Sequence, residues 1–169
     1  MNAETRTLTV LEKQLARKER DWESMIRINH DFFHSWRRAA EDKLGTKDAN
    51  DLMMRFWDLV GAGTGTMYLE RGGKPEDLEQ LAFTMMRASH VMGESAHMAI
   101  EGDTSVLVHT ACPWMDSFRD TGAANQCQAG CDRWFQTTIQ TISPNVRVVT
   151  EAALPAGDAT CTRRFSRKN

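Results

Sequence analysis

The sequence predicts an α+β protein: a helical N-terminal half packed on a small four-stranded antiparallel sheet, with helices inserted between its hairpins. Three observations carry this. Apolar residues recur at spacings of three and four up to about residue 92. After Gly93 the period shortens and β-branched runs alternate with turn residues. Two hairpin turns, Glu101-Gly102-Asp103 and Pro155-Ala156-Gly157-Asp158, then bracket a helical stretch. The 169 residues fit one domain, 1–169, with a helical part over 1–92 and a cysteine-containing α+β part over 93–169.

Taken in order, residues 5–20 mix charges with Leu8, Leu11 and Leu15, a narrow stripe suited to a neighbour or a second subunit. Trp22, Met25, Ile26, Asn29, Phe32, Phe33 and Trp36 predict one broad buried face, ending near Leu44-Gly45. Thr46 can cap a helix carrying Leu52, Phe56, Leu59 and Val60. The stretch GAGTGT at 61–66 lacks the Lys-Ser/Thr of a phosphate loop and any preceding strand. Its small residues fit a helix passing close to another, running to about residue 70. Pro75 fits the first position of a fourth helix, with Leu78, Leu81, Ala82, Met85 and Met92 inward. HMAI and TSVLVHT form the first hairpin, 113–121 and 126–142 are helical, and NVRVVTEAAL with ATCTRRF forms the second hairpin.

Charge bounds the partners. Lys and Arg number 21 against 23 Asp and Glu, a net charge of -2, with nothing that calls for nucleic acid. The basic end, Arg163, Arg164, Arg167 and Lys168, reads as a solvated terminus. No apolar run approaches a membrane span and no signal segment opens the chain, so a cytoplasmic location is expected. Thiols there stay mostly reduced.

All four cysteines fall in the last third: Cys112, Cys127, Cys131 and Cys161, spaced Cys-x14-Cys-x3-Cys-x29-Cys. Cys127 and Cys131 lie four apart on one helix face. Cys112 ends a strand before Pro113 and Trp114, and Cys161 sits on the last strand. The four can act together as thiolate ligands for zinc or an iron–sulfur cluster. Alternatively, Cys112 is a nucleophile at a helix N-terminus, where the dipole lowers a thiol pKa. The third alternative is thiols that merely pack. The spacing matches no zinc-ribbon or ferredoxin pattern.

HTACPW, CQAGCD and GDATCTRRF together resemble the L-2-amino-thiazoline-4-carboxylic acid hydrolase-like family, which is distantly similar to cysteine-containing ligand-binding modules of the vinyl-reductase type. The matching elements are Cys112-Pro113, Cys127 to Asp132, and Gly157 to Cys161, covering about residues 93–166. The resemblance implies a helical N-terminal region and an activity that opens a cyclic thiazoline.

Around the cysteines, Glu94 and Asp132 are the carboxylates placed for general-base work. Each is as readily a solvated or capping acid. His109, three residues before Cys112, can be a ligand, a proton shuttle, or a strand histidine bonded to a carbonyl. His97 is weaker. His30 and His34 lack the Glu of a His-Glu-x-x-His pair, which favours a surface or packing role. Trp114 and Trp134 can wall a small planar substrate or pack in the core. Arg133, Arg163 and Arg164 can fork onto a carboxylate. No Gly-x-Ser-x-Gly, dinucleotide or Walker motif is present.

Two function classes follow. The first is a small-molecule hydrolase of a C–N or C–S bond in a cyclic or amide-like substrate, with Cys112, Glu94, Asp132 and His109 as catalytic groups. The second is a metal- or iron–sulfur-binding sensor or ligand-binding module, against which the lack of a DNA-binding or signalling segment weighs. Either is expected to associate through its N-terminal helices.

Overall fold

The computed structural model describes residues 3–168, with side chains from Thr9 onward. Among them, five α-helices and a four-stranded antiparallel sheet run in the order α1 (Ala3–Leu44), α2 (Thr46–Glu70), α3 (Leu78–Val91), β1 (Ser95–Glu101), β2 (Thr104–Ala111), α4 (Pro113–Asp120), α5 (Ala124–Ile142), β3 (Val146–Ala152) and β4 (Cys161–Arg167). The sheet order is β1-β2-β4-β3. The hairpins therefore sit side by side, joined where β2 pairs with β4 from Ser105↔Phe165 to His109↔Cys161. The α+β class and the four strands agree with the sequence.

The N-terminal half differs in detail. The stretches around 5–20 and 22–44 are one helix of 42 residues. At 1.5 Å per residue it is about 63 Å long. Its expected apolar face is mostly unburied: Trp22 is 44% exposed, Met25 61% and Phe32 77%. The buried face is His30, Phe33, His34 and Arg37. Polar groups won there because α4 and α5 present polar partners. His34 lies 3.0 Å from Ser117 Oγ and 3.3 Å from Thr121 Oγ1, and Arg37 donates to Gln126. His30 and His34 therefore pack, as expected, but inside. Leu11 and Leu15 are exposed; the side chain of Leu8 lies outside the described residues.

On α2 the inward face is rotated from the expected Leu52, Leu59 and Val60 to Ala49, Met53, Gly61, Gly65 and Tyr68. The cap before it is Gly45 at φ 81, a left-handed conformation suited to glycine, and not Thr46, whose hydroxyl donates to Glu41. GAGTGT is a helix crossing. A Cβ on Gly61 would lie 2.9 Å from Thr137 Cβ, and one on Gly65 would lie 2.7 Å from Thr141 Cβ. Only glycine admits α5 this closely. Across the same seam Arg133 grips Asp58 at 2.6 and 2.9 Å. The fourth predicted helix starts later than Pro75, because Asp77 is the cap and its carboxylate accepts the Gln80 N–H at 3.0 Å.

Two buried clusters result. One joins α3, α5 and the sheet through Leu81, Met85, Leu107, Phe135, Ile139, Val146 and Phe165. The other is aromatic and joins α1, α2 and α4 around Phe33 and Phe118, with Trp36, Phe56, Trp57 and Trp114 packed against it. Among the described residues no helix is long and apolar enough to cross a membrane.

Candidate functional site

A chamber of about 1070 Å³ lies between the two clusters and is lined by residues of both. All four cysteines line it, together with Glu94, His109, Ser89 and Arg163. The chain brings them there by simple means. β2 and β4 are paired at His109↔Cys161, which sets strand residues from both hairpins side by side. The strand β2 runs straight into Cys112, the residue before α4, whose first helical position is Pro113. Cys127 and Cys131, one turn apart on α5, share the chamber-facing side. The turn after α3 places Glu94 opposite His109.

Glu94 and His109 form the central contact. His109 Nε2 lies 3.1 Å from Glu94 Oε2 and 2.8 Å from Ser89 Oγ. A ring nitrogen facing a carboxylate carries its proton. His109 is 2% exposed, and its Nδ1 has no protein partner. His109 thus bonds a carboxylate and a hydroxyl instead of a strand carbonyl.

The thiols of Cys112, Cys127 and Cys131 are held protonated. Burial, and then the charge of Glu94, push the Cys112 thiol well above its ordinary range. Burial and the neighbouring Cys131 push Cys127 up to about 12. Burial pushes Cys131 up to about 12 against the pull of Arg163. At Cys112 burial is the largest influence on the thiol and opposes the lowering expected from a helix N-terminus. A cysteine here reacts as a nucleophile only if a neighbouring base removes its proton.

The grouping of the donors lends no support to the expected zinc or iron–sulfur site. Among the described residues no three His, Cys, Asp or Glu side chains are grouped to hold a metal ion. Two of the four sulfurs also have other work. Cys131 accepts a hydrogen bond from Arg163 at 3.2 Å, and Cys161 accepts the Leu154 N–H at 3.2 Å.

Asp132 does not line the chamber. Its carboxylate accepts from Thr150 Oγ1 at 2.6 Å and lies 3.6 Å from Arg163, and so helps hold α5 to the sheet. Arg163 is the main surprise. Expected in a solvated tail, it is 2% exposed, lies over the Phe135 ring at 4.4 Å, and has no partner for Nε. The alternation of β4 carried the signal, since Arg163 shares a face with Cys161 and Phe165. Arg164, on the other face, grips Glu151 and Glu101. Arg133 serves Asp58, so neither offers a free fork to a ligand. Trp114 and Trp134 line the chamber and also pack. His97 is exposed.

Residues 25–165 match the family model described as L-2-amino-thiazoline-4-carboxylic acid hydrolase, and the chain belongs to that family. No curated protein matches it. Among solved structures, it is similar to the phenol-responsive sensory domain of the transcription activator PoxR with phenol, at 12% identity and a TM-score of 0.57, covering 82% of this chain and 74% of that one. It is also similar to trafficking protein particle complex subunit 3 from Naegleria fowleri, covalently bound to palmitic acid, at 11% identity and a TM-score of 0.55, covering 85% and 97%. At these identities the likeness is one of fold.

Proposed function

We propose that this member of the L-2-amino-thiazoline-4-carboxylic acid hydrolase family hydrolyses a C–N or C–S bond in a small cyclic or amide-like substrate held in the chamber. The observation that carries the reading is the Glu94–His109 contact at 3.1 Å on the chamber wall, beside protonated Cys112. Glu94 takes a proton from water as its oxygen bonds to the electrophilic carbon. His109 holds Glu94 in place through Nε2–H, which Glu94 Oε2 and Ser89 Oγ share. The tetrahedral adduct then breaks its C–S or C–N bond. The electron pair goes to sulfur or nitrogen, which takes up the proton that Glu94 received. The sum is substrate plus water, with no oxidant or reductant. Cys112 and Arg163 border the reacting end, Cys112 as an uncharged donor and Arg163 as the buried cation.

The test is turnover of 2-aminothiazoline-4-carboxylate and a panel of small amides, followed by NMR, in wild type, Glu94→Gln and Cys112→Ser. The reading expects turnover that Glu94→Gln removes and Cys112→Ser only weakens. Loss with Cys112→Ser alone overturns the water mechanism in favour of a cysteine nucleophile.

A second reading is favoured by the size and aromatic lining of the chamber: a ligand-binding module without chemistry. The two similar folds, one with phenol and one covalently bound to palmitic acid, support it. Saturable binding with no turnover of any panel member selects this reading.

A further inference from the structure

We infer that the substrate carries a planar aromatic group larger than a single five-membered ring. This rests on the hydrolase reading for the reacting end, but its own basis is the shape and lining of the chamber. Pockets that bury drug-sized ligands run from about 300 to 1,000 Å³. At about 1070 Å³ the chamber stands at the top of that range. A lone thiazoline acid would leave most of it to water, against apolar walls where water finds few partners.

The lining is also divided. The polar groups Glu94, His109 and Arg163 border the same chamber as an aromatic set built on Phe33, Trp57 and Trp114. Rings in that set meet edge-on: Phe33 and Trp114 at 5.4 Å and 86°, Trp57 and Trp114 at 5.7 Å and 78°. Edge-to-face contacts of this kind extend naturally to a planar guest, and an alkyl chain gains nothing from the ring quadrupoles. A ligand polar at one end and aromatic at the other matches both walls at once.

The test uses three thiazoline-4-carboxylates that share one head group and differ only at ring position 2: amino, naphthyl and octyl. Binding is read from quenching of tryptophan fluorescence and by calorimetry. Four tryptophans line the chamber: Trp36, Trp57, Trp114 and Trp134. The expected result is that the naphthyl compound binds at least tenfold more tightly than either of the others. Equal or tighter binding of the amino or octyl compound overturns the inference.

A filled chamber gives a second measure. Asn29 on α1 and Val60 on α2 line it on the helices of the aromatic wall. Asn29→Phe, and independently Val60→Phe, should cost the naphthyl compound at least tenfold in affinity and leave the amino compound within about threefold. A loss shared by both compounds in variants with unchanged melting temperature overturns it. The two levels separate cleanly. Tight naphthyl binding without hydrolysis sinks the hydrolase reading and keeps this one, and turnover of the amino compound with no gain from naphthyl does the reverse.

Discussion

The two walls of the chamber are built on different principles. The aromatic wall of α1, α2 and α4 is held by ring contacts, with Phe33 packed against Trp36, Phe56, Trp57, Trp114 and Phe118 at 5.4 to 5.9 Å. The polar wall of α3, β2, β4 and α5 is held by single hydrogen bonds between buried groups, such as His109 to Ser89 and Arg163 to Cys131. The aromatic wall contributes stability through area removed from water and is insensitive to pH. Buried polar atoms are left unmatched at His109 Nδ1 and Arg163 Nε on the polar wall, and at Trp57 Nε1 on the aromatic one. Unmatched buried groups destabilise a fold, so their presence marks where a ligand completes the structure.

The sharpest way to break this contrast is Phe33→Ala. It removes the ring that touches all the others, and it should destabilise the protein by about 3–5 kcal/mol in urea melts. A loss below about 1 kcal/mol would mean the aromatic set is not a structural wall. Next comes Glu94→Gln. It should lower turnover by about 100-fold, near 2.7 kcal/mol, and leave the urea midpoint within error. Large destabilisation with little kinetic effect would make the polar wall structural as well.

The third prediction concerns the polar seam behind the aromatic wall. Burial, and then Arg37, lower His34 to about 4. The unfolded chain, near 6.5, then binds a proton that the native state refuses. The contribution is therefore fully present above pH 6.5 and is lost as pH falls toward 4, on the order of 2 kcal/mol. Urea midpoints between pH 7 and pH 4.5 should fall in wild type, and His34→Gln should remove that part of the slope. An unchanged slope in the variant counts against it.

The smallest expected effect on the fold comes from deleting residues 1–20. The side chains described there, including Leu11 at 54% and Leu15 at 59% exposed, bury little. Stability should change by less than about 1 kcal/mol. If the stripe serves a second copy, the hydrodynamic mass should halve. A monomer in both forms removes self-association.

The class of fold, the four strands and the chamber-lining cysteines were legible because each rests on local periodicity or spacing. Alternation fixed β2 and β4, and a helical turn put Cys127 and Cys131 on one face. What was not legible depended on partners distant in sequence. Phe32 and Phe33 look alike in the chain, yet one is exposed and the other buried, because only α2 and α4 decide which side of α1 is covered. Arg163 looked like a tail residue until the β2–β4 pairing placed it beside α5. Asp132 and Glu94 were equal candidates by proximity to the cysteines. Thr150 and His109 separate them, and both are contacts between elements.

The glycine crossing of α2 and α5 has a consequence for traffic. With Thr137 and Thr141 seated against Gly61 and Gly65, and Asp58 clamped by Arg133 and Thr137, these helices move as one body. No guest can pass between them. Exposed residues on the chamber rim include Phe32 on α1 and Val91 at the end of α3, at 77% and 61%, and Met67 on α2 at 45%. An entry route between α1 and α3 predicts that a chemical cross-link between cysteines placed at Phe32 and Val91 slows both directions equally without altering equilibrium affinity.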